Sequence, residues 1–224
     1  MQGLEEKIKY SFKNKELIFN AMTHSSYANE HKKQSNERLE FLGDSVLGFL
    51  CAEYLYKRYR DSAEGDLSKI RAALVCEQAL DMYASEIELS KYILLGKGEE
   101  QTGGRTRPSI LADAYEALIG AMFLDGGLEQ VKQFILPILK KHSDGAFKGT
   151  TFKDYKTILQ EVVQKNPGEL LDYVMTDQTG PEHNKSFTCE VHINSNVISK
   201  GKGKSKKEAE QDAARQALLL MGIR

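Results

Sequence analysis

Apolar positions recur at helical spacing over the first two-thirds of the chain, then give way to short alternating runs and one last helical pattern. The strongest segment is Asn36-Glu37-Arg38-Leu39-Glu40-Phe41-Leu42-Gly43-Asp44-Ser45, which opens the apolar run Val46-Leu47-Gly48-Phe49-Leu50-Cys51-Ala52. Leu39, Leu42, Val46, Phe49 and Leu50 spread around much of the helical circumference, and a helix apolar on most sides belongs in a core. Glu40 and Asp44 lie one turn apart on a shared face, with Glu37 one turn earlier. Gly43 and Gly48 each cost about 1 kcal/mol against alanine inside a helix, which predicts close approach of another helix. Before this segment, Leu4 to Met22 reads as short helices and residues 29–35 as a loop, with Ser35 or Asn36 able to cap the helix that begins there. His24 interrupts that pattern. A hydrogen-bonded structural histidine is the expectation, with an approach to the acidic face as the alternative.

Downstream, Tyr59 to Gly65 connects, with Glu64 at its end, to a helix that Asp66 can cap. Its buried side is Leu67, Ile70, Ala73 and Leu74, with Lys69 and Arg71 on a solvated face. Another helix covers Glu77 to Leu89, and the run from Gly96 to Arg107 is too glycine-rich and polar to pack. Pro108 suits the first turn of a new helix over Ser109 to Leu124, in which Asp113 and Glu116 share a face at i and i+3. Gly126-Gly127 ends it, and an amphipathic helix from Leu128 to Lys141 closes an all-α domain over residues 1–142. Residues 143–151 lack periodicity and read as a linker. Over 152–224 the order becomes α-β-β-β-α: helix Phe152 to Gln164, strands Leu170 to Thr176, Phe187 to Ile193 and Val197 to Lys200, and helix Ser205 to Met221. That order predicts a small α+β domain, one sheet face covered by two helices.

With 224 residues, 41% of them hydrophobic and 28% charged, the chain has room for one or two globular domains. Cys51, Cys76 and Cys189 are widely spaced and form no C-x-x-C pair, which favours reduced thiols and a cytoplasmic location. No apolar run approaches the ~18 residues that span a bilayer, so no membrane association is expected. The formal net charge of -1 neither requires nor excludes a polyanionic partner, and local clusters decide that question.

Two such clusters stand out. Burying Glu40, Asp44, Asp113 and Glu116 on apolar helices is unfavourable without a positive partner, and no Lys or Arg comes next on the face of the first pair. If the two faces meet, hard oxygen donors converge in a set that selects Mg²⁺ or Mn²⁺ over Zn²⁺. Such clusters commonly serve phosphoryl chemistry by in-line displacement. Pairing of the acids with Arg38 or Arg71 is the structural alternative. In the second domain, Lys200-Gly201-Lys202-Gly203-Lys204-Ser205-Lys206-Lys207 leads into a helix start, where positive side chains, free N–H groups and the dipole favour phosphate. Gln160, Gln164 and His183 offer neutral donors suited to ribose hydroxyls in a minor groove.

Residues 36–45, together with Glu64-Gly65-Asp66-Leu67-Ser68, Gly103-Gly104-Arg105 and Leu111-Ala112-Asp113-Ala114-Tyr115-Glu116-Ala117, resemble the hallmarks of bacterial ribonuclease III. The C-terminal part is similar to a double-stranded RNA-binding domain through Asp154-Tyr155-Lys156-Thr157, Gly180-Pro181 with His183, and Lys204-Ser205-Lys206-Lys207. The resemblance implies a Mg²⁺-dependent endoribonuclease, Mn²⁺ able to substitute, that cuts both strands of duplex RNA and leaves 5′-phosphates and 3′-hydroxyls. Processing of ribosomal and other structured transcripts by a homodimer is implied with it. By matched position Asp44 and Glu116 are the essential catalytic carboxylates, and Glu40 and Asp113 complete the metal set. Glu37 and Glu64 line the cleft further out, and Arg105 and Arg107 join the RNA-binding residues. Leu171-Asp172-Tyr173 departs from the usual Pro-x-Tyr, and Arg107 stands where lysine is frequent. The rival expectation is a non-cleaving duplex-RNA-binding dimer.

Overall fold

The structure, a computed structural model, describes residues 1–147, 155–166, 168–180 and 185–223, in two compact units, Met1–Phe152 and Lys153–Arg224. The first unit is helical: α1 Gln2–Ile8, α2 Lys15–Ala21, α3 Ser25–His31, α4 Glu37–Arg58, α5 Glu64–Val75, α6 Glu77–Glu86, α7 Lys97–Gln101, α8 Pro108–Gly126 and α9 Leu128–Phe147. Its axis is α8, buried along most of its length from Ile110 to Met122, with α4, α6 and α2 packed around it. Pro108 stands at its first position, as its fixed φ suits, and Gly127 with φ 79° ends it.

Glycine lets α4 and α8 touch backbone to backbone. A Cβ on Gly43 would lie 1.8 Å from the carbonyl oxygen of Glu116, and one on Gly120 would lie 2.2 Å from that of Leu39. Gly48 has nothing within 4 Å, so the expected close neighbour is absent there within the described chain. Nor is α4 buried all round, since Phe41, Phe49 and Tyr56 remain exposed.

Several boundaries differ from the sequence expectation. The helix α9 continues through Ser143 to Phe147, across the first half of the expected linker. Ser143 is buried there because its hydroxyl meets that of Tyr54 at 2.9 Å, and Asp144 accepts from Tyr59 at 2.9 Å. The run from Gly96 to Arg107 does pack: it forms α7 and a 3₁₀ turn over Gly104–Thr106, fastened by Arg105 to Glu100 and Arg107 to Glu99. Ala63 rather than Asp66 precedes α5, which leaves Asp66 in the first turn. Asn36 precedes α4, is buried, and makes no side-chain capping bond. The helix α6 stops at Glu86, and Leu89–Lys91 is a 3₁₀ turn.

The second unit has the expected order: α10 Tyr155–Val163, then β1 Leu171–Thr179, β2 Ser186–Ile193, β3 Asn196–Gly203, then α11 Lys206–Leu220. The strands form an antiparallel sheet in the order β1-β2-β3, with register shifts between Met175 and Asp177 and between Val191 and His192. Leu159 and Val163 of α10, Cys189 and Val191 of β2, and Ala209, Ala213, Ala217 and Leu218 of α11 form its core. Gly201 lets α11 lie on the sheet, since a Cβ there would come 2.0 Å from the Ala213 nitrogen.

Candidate active site

The Gly43–Gly120 contact fixes which residues of α4 and α8 confront each other. Glu40 and Asp44 flank the crossing on α4, and Glu116 supplies the backbone oxygen that sits over Gly43. All four acids therefore share one region, and their electrostatics record it. Burial, then the charges of Asp44, Glu40 and Asp113, push the Glu116 carboxyl up to about 8. Burial followed by Asp113, Glu37 and Asp44 raises Glu40, and burial followed by Glu77 raises Asp113, partly offset by His24. Every charge acting on Glu116 and Glu40 in this way is another carboxylate. The alternative of pairing with Arg38 or Arg71 is not what surrounds these two acids.

Such a site is poised for a cation. Four half-buried or exposed carboxylates that repel one another match the hard-oxygen donor set of a divalent ion, whose charge would relieve the repulsion. As placed, no three His, Cys, Asp or Glu side chains among the described residues are drawn together into a ligating group. The fit is therefore one of donor chemistry and backbone placement at the α4–α8 crossing.

Glu37 opens α4, accepts from the Ser35 hydroxyl, and acts electrostatically on Glu40. Glu64 opens α5, exposed, and accepts from Ser68 at 2.7 Å. Sequence reasoning missed Glu77, the first residue of α6, whose charge reaches both Asp113 and Asp81. No local spacing could reveal it, because its nearness to Asp113 arises where α6 packs on α8.

Arg105 and Arg107 sit in structural pairs. The Arg105 guanidinium binds Glu100 and donates to the carbonyls of Ser90 at 2.6 Å and Ile93 at 3.0 Å, while Arg107 binds Glu99. In the second unit, Gln160, Gln164 and Lys207 line one groove of about 500 Å³ with Lys156, Thr157, Glu161 and Gln211. Ser205 caps α11 by accepting from the Glu208 N–H at 3.2 Å, and the Lys204 N–H donates to the Glu208 carboxylate at 2.7 Å. Lys206 is the first residue of α11. His183 lies outside the described residues.

Among the described residues no helix is long and apolar enough to cross a membrane. Residues 14–142 match the family model described as ribonuclease-III-like, and residues 155–221 match that of the double-stranded RNA binding motif. A ribonuclease 3 of Caldanaerobacter subterraneus is 54% identical over 222 residues, covering 98% of this chain and 97% of the relative. One from Listeria monocytogenes is 48% identical over 221 residues, covering 97% and 96%. The solved nuclease domain of a ribonuclease III from Campylobacter jejuni is 46% identical, with a TM-score of 0.60 over 62% of this chain and 96% of that domain. The chain belongs to the ribonuclease III family, as a double-strand-specific endoribonuclease with a helical nuclease domain followed by a double-stranded RNA binding motif.

Proposed function

We propose that Glu40, Asp44, Asp113 and Glu116 hold Mg²⁺, with Mn²⁺ able to substitute, and that hydrolysis of both strands of duplex RNA takes place there. Asp44 and Glu116 carry the greatest share. The observation behind this is the grouping of carboxylates at the α4–α8 crossing, where burial and three like charges push the Glu116 carboxyl up to about 8 and the charge of a divalent cation would offset that repulsion. Bound there, the ion would activate water and neutralise charge on the phosphoryl group as 5′-phosphate and 3′-hydroxyl ends form. The chain's own contribution is rigid placement, because the acids stand on two helices locked at Gly43 and Gly120.

Substrate capture falls to the second unit. Gln160, Gln164 and Lys207 in one groove, with Lys204 and Lys206 at the α11 start, supply neutral and cationic donors for A-form backbone and 2′-hydroxyls. His183 would join them by matched position. Residues 1–147 then act as the nuclease domain and 155–223 as the RNA-binding domain. Arg105 and Arg107 are assigned to holding α7 rather than to RNA. Glu37 and Glu64 are placed at the outer cleft.

Cleavage of two strands calls for two sites, and a homodimer supplies them. Phe41, Phe49, Tyr56 and Leu124 lie exposed on α4 and α8, and the Campylobacter nuclease domain is described as having a region involved in dimer formation. Free Cys51, Cys76 and Cys189 suit work in the cytoplasm on ribosomal and other structured transcripts. Incubation with long duplex RNA, with and without Mg²⁺, tests the whole proposal. Short duplex products only with the ion are expected, whereas intact RNA bound in both lanes would leave a non-cleaving binding dimer.

A further inference from the structure

Residues 143–147 are helical against the preference of their own sequence. Ser143, Asp144 and Gly145 are weak helix formers, and further up α9 Pro137 withholds one N–H from the ladder. What holds this last turn is the end of α4. The buried Ser143 hydroxyl meets that of Tyr54 at 2.9 Å. The Asp144 carboxylate accepts from the Tyr59 hydroxyl at 2.9 Å and lies 3.5 Å from the Arg58 guanidinium. The Phe147 ring stacks on that of Tyr59, with centroids 4.7 Å apart and planes 4° from parallel. Tyr59 is the hub, since it gives the turn both a hydrogen bond and a ring face, and it directly follows the last residue of α4.

The residues just before this turn are fastened elsewhere. Lys141 pairs with Glu86 of α6 at 2.7 Å, the His142 Nε2 lies 3.6 Å from the same oxygen, and the His142 ring packs 5.4 Å from that of Tyr83. The side-chain anchors of α9 therefore change from α6 to α4 between His142 and Ser143. A weakly helical turn beyond such a point, closed by a few partly exposed contacts, opens locally while the rest of its helix stays in place. We propose that residues 143–147 form a catch with two states. Closed, they are helix on the end of α4; open, they are added chain ahead of the double-stranded RNA binding motif, and the balance sets how far that motif can reach. Five residues rise about 7.5 Å as helix and span up to about 17 Å extended, so opening adds up to about 10 Å. The acidic site plays no part in this, so a failure here leaves its assignment untouched.

Two substitutions take the hub apart in steps. Tyr59→Phe keeps the stack and withdraws the hydroxyl from Asp144, whereas Tyr59→Leu withdraws both. Native-state hydrogen exchange on the full-length protein reads the turn directly, because its amides exchange through local opening. The amides of residues 143–147 should exchange about 10-fold faster than in the parent in Tyr59→Phe and up to about 100-fold faster in Tyr59→Leu. Those of residues 128–139 should stay within about 3-fold of the parent. Adding Asp144→Gly to Tyr59→Leu should leave the turn open, and small-angle scattering of that double variant should show a maximum dimension greater by up to about 10 Å. Unchanged exchange over 143–147 would overturn the proposal, and so would equal acceleration along the whole of α9, which would make the turn an ordinary part of the core. Fast exchange in the double variant with the parental maximum dimension would overturn it as well, because the turn would then open without lengthening the reach. Should Tyr59→Leu fail to fold, the exchange pattern of Tyr59→Phe still decides the matter.

Discussion

Gly43→Ala is the perturbation whose consequence can be worked most directly from the helix crossing. The added methyl would lie 1.8 Å from the Glu116 carbonyl oxygen, 2.5 Å from its carbonyl carbon and 3.1 Å from the Gly120 nitrogen. All three are backbone atoms, so no rotamer change relieves the overlap. Restoring an ordinary contact of 3.4 Å at the closest atom requires α4 and α8 to part by about 1.6 Å where they cross. Overpacking of this kind costs about 1–3 kcal/mol. At about 2–4 °C per kcal/mol for a domain of this size, the melting temperature should fall by several degrees. Catalysis should suffer more, because the same displacement separates Glu40 and Asp44 from Asp113 and Glu116, and misplacement by about 1 Å can cost about 100-fold in rate. The assay pairs thermal unfolding with initial rates on a defined RNA duplex. Gly98→Ala is the control, since it lies in α7 with nothing within 4 Å and should leave both quantities near the parent values. A Gly43→Ala enzyme with parental melting and parental cleavage would refute the account of the helix crossing.

Three further outcomes are expected. Because Glu116 sits at about 8 in the folded protein against an ordinary 4.5, the native state binds that proton more tightly than the unfolded chain. Stability of the metal-free protein should therefore fall as pH rises from about 4.5 through about 8, and Glu116→Gln should flatten that slope in melts taken across the interval; parallel slopes would contradict it. Arg105→Ala should lower the melting temperature by removing the anchor of Glu100, Ser90 and Ile93, while duplex affinity measured by filter binding stays the same; the opposite result would restore Arg105 as an RNA contact. Deleting residues 151–224 should weaken duplex binding far more at about 200 mM salt than at about 50 mM, because low salt lets the remaining phosphate contacts hold the RNA. Unchanged affinity at both salts would leave the second unit without a role.

Most of the fold and the core of the site were legible from local spacing. Glu40 and Asp44 at i and i+4, and Asp113 and Glu116 at i and i+3, face the same way on any α-helix, so their grouping needed only that the helices meet. Gly43 announced that meeting. Gly48 carried the same signal without a neighbour, because composition cannot say at which glycine two helices cross. What escaped depends on partners distant in sequence. The 96–107 segment packs through Arg105 with Glu100, Ser90 and Ile93, and Ser143 extends α9 because Tyr54, 89 positions away, meets its hydroxyl. Glu77 acts on Asp113 only through tertiary packing. His24 is the hydrogen-bonded structural residue that the sequence suggests, through Nδ1 and Ser26.

The most direct test of the central claim is Mg²⁺-dependent cleavage of a long RNA duplex by Glu116→Gln, with binding of the same duplex measured in parallel. Removing the carboxyl that the other acids crowd should abolish product while leaving duplex affinity at the parental value. Parental cleavage rates by this variant would contradict a mechanism centred on acids gathered from α4 and α8.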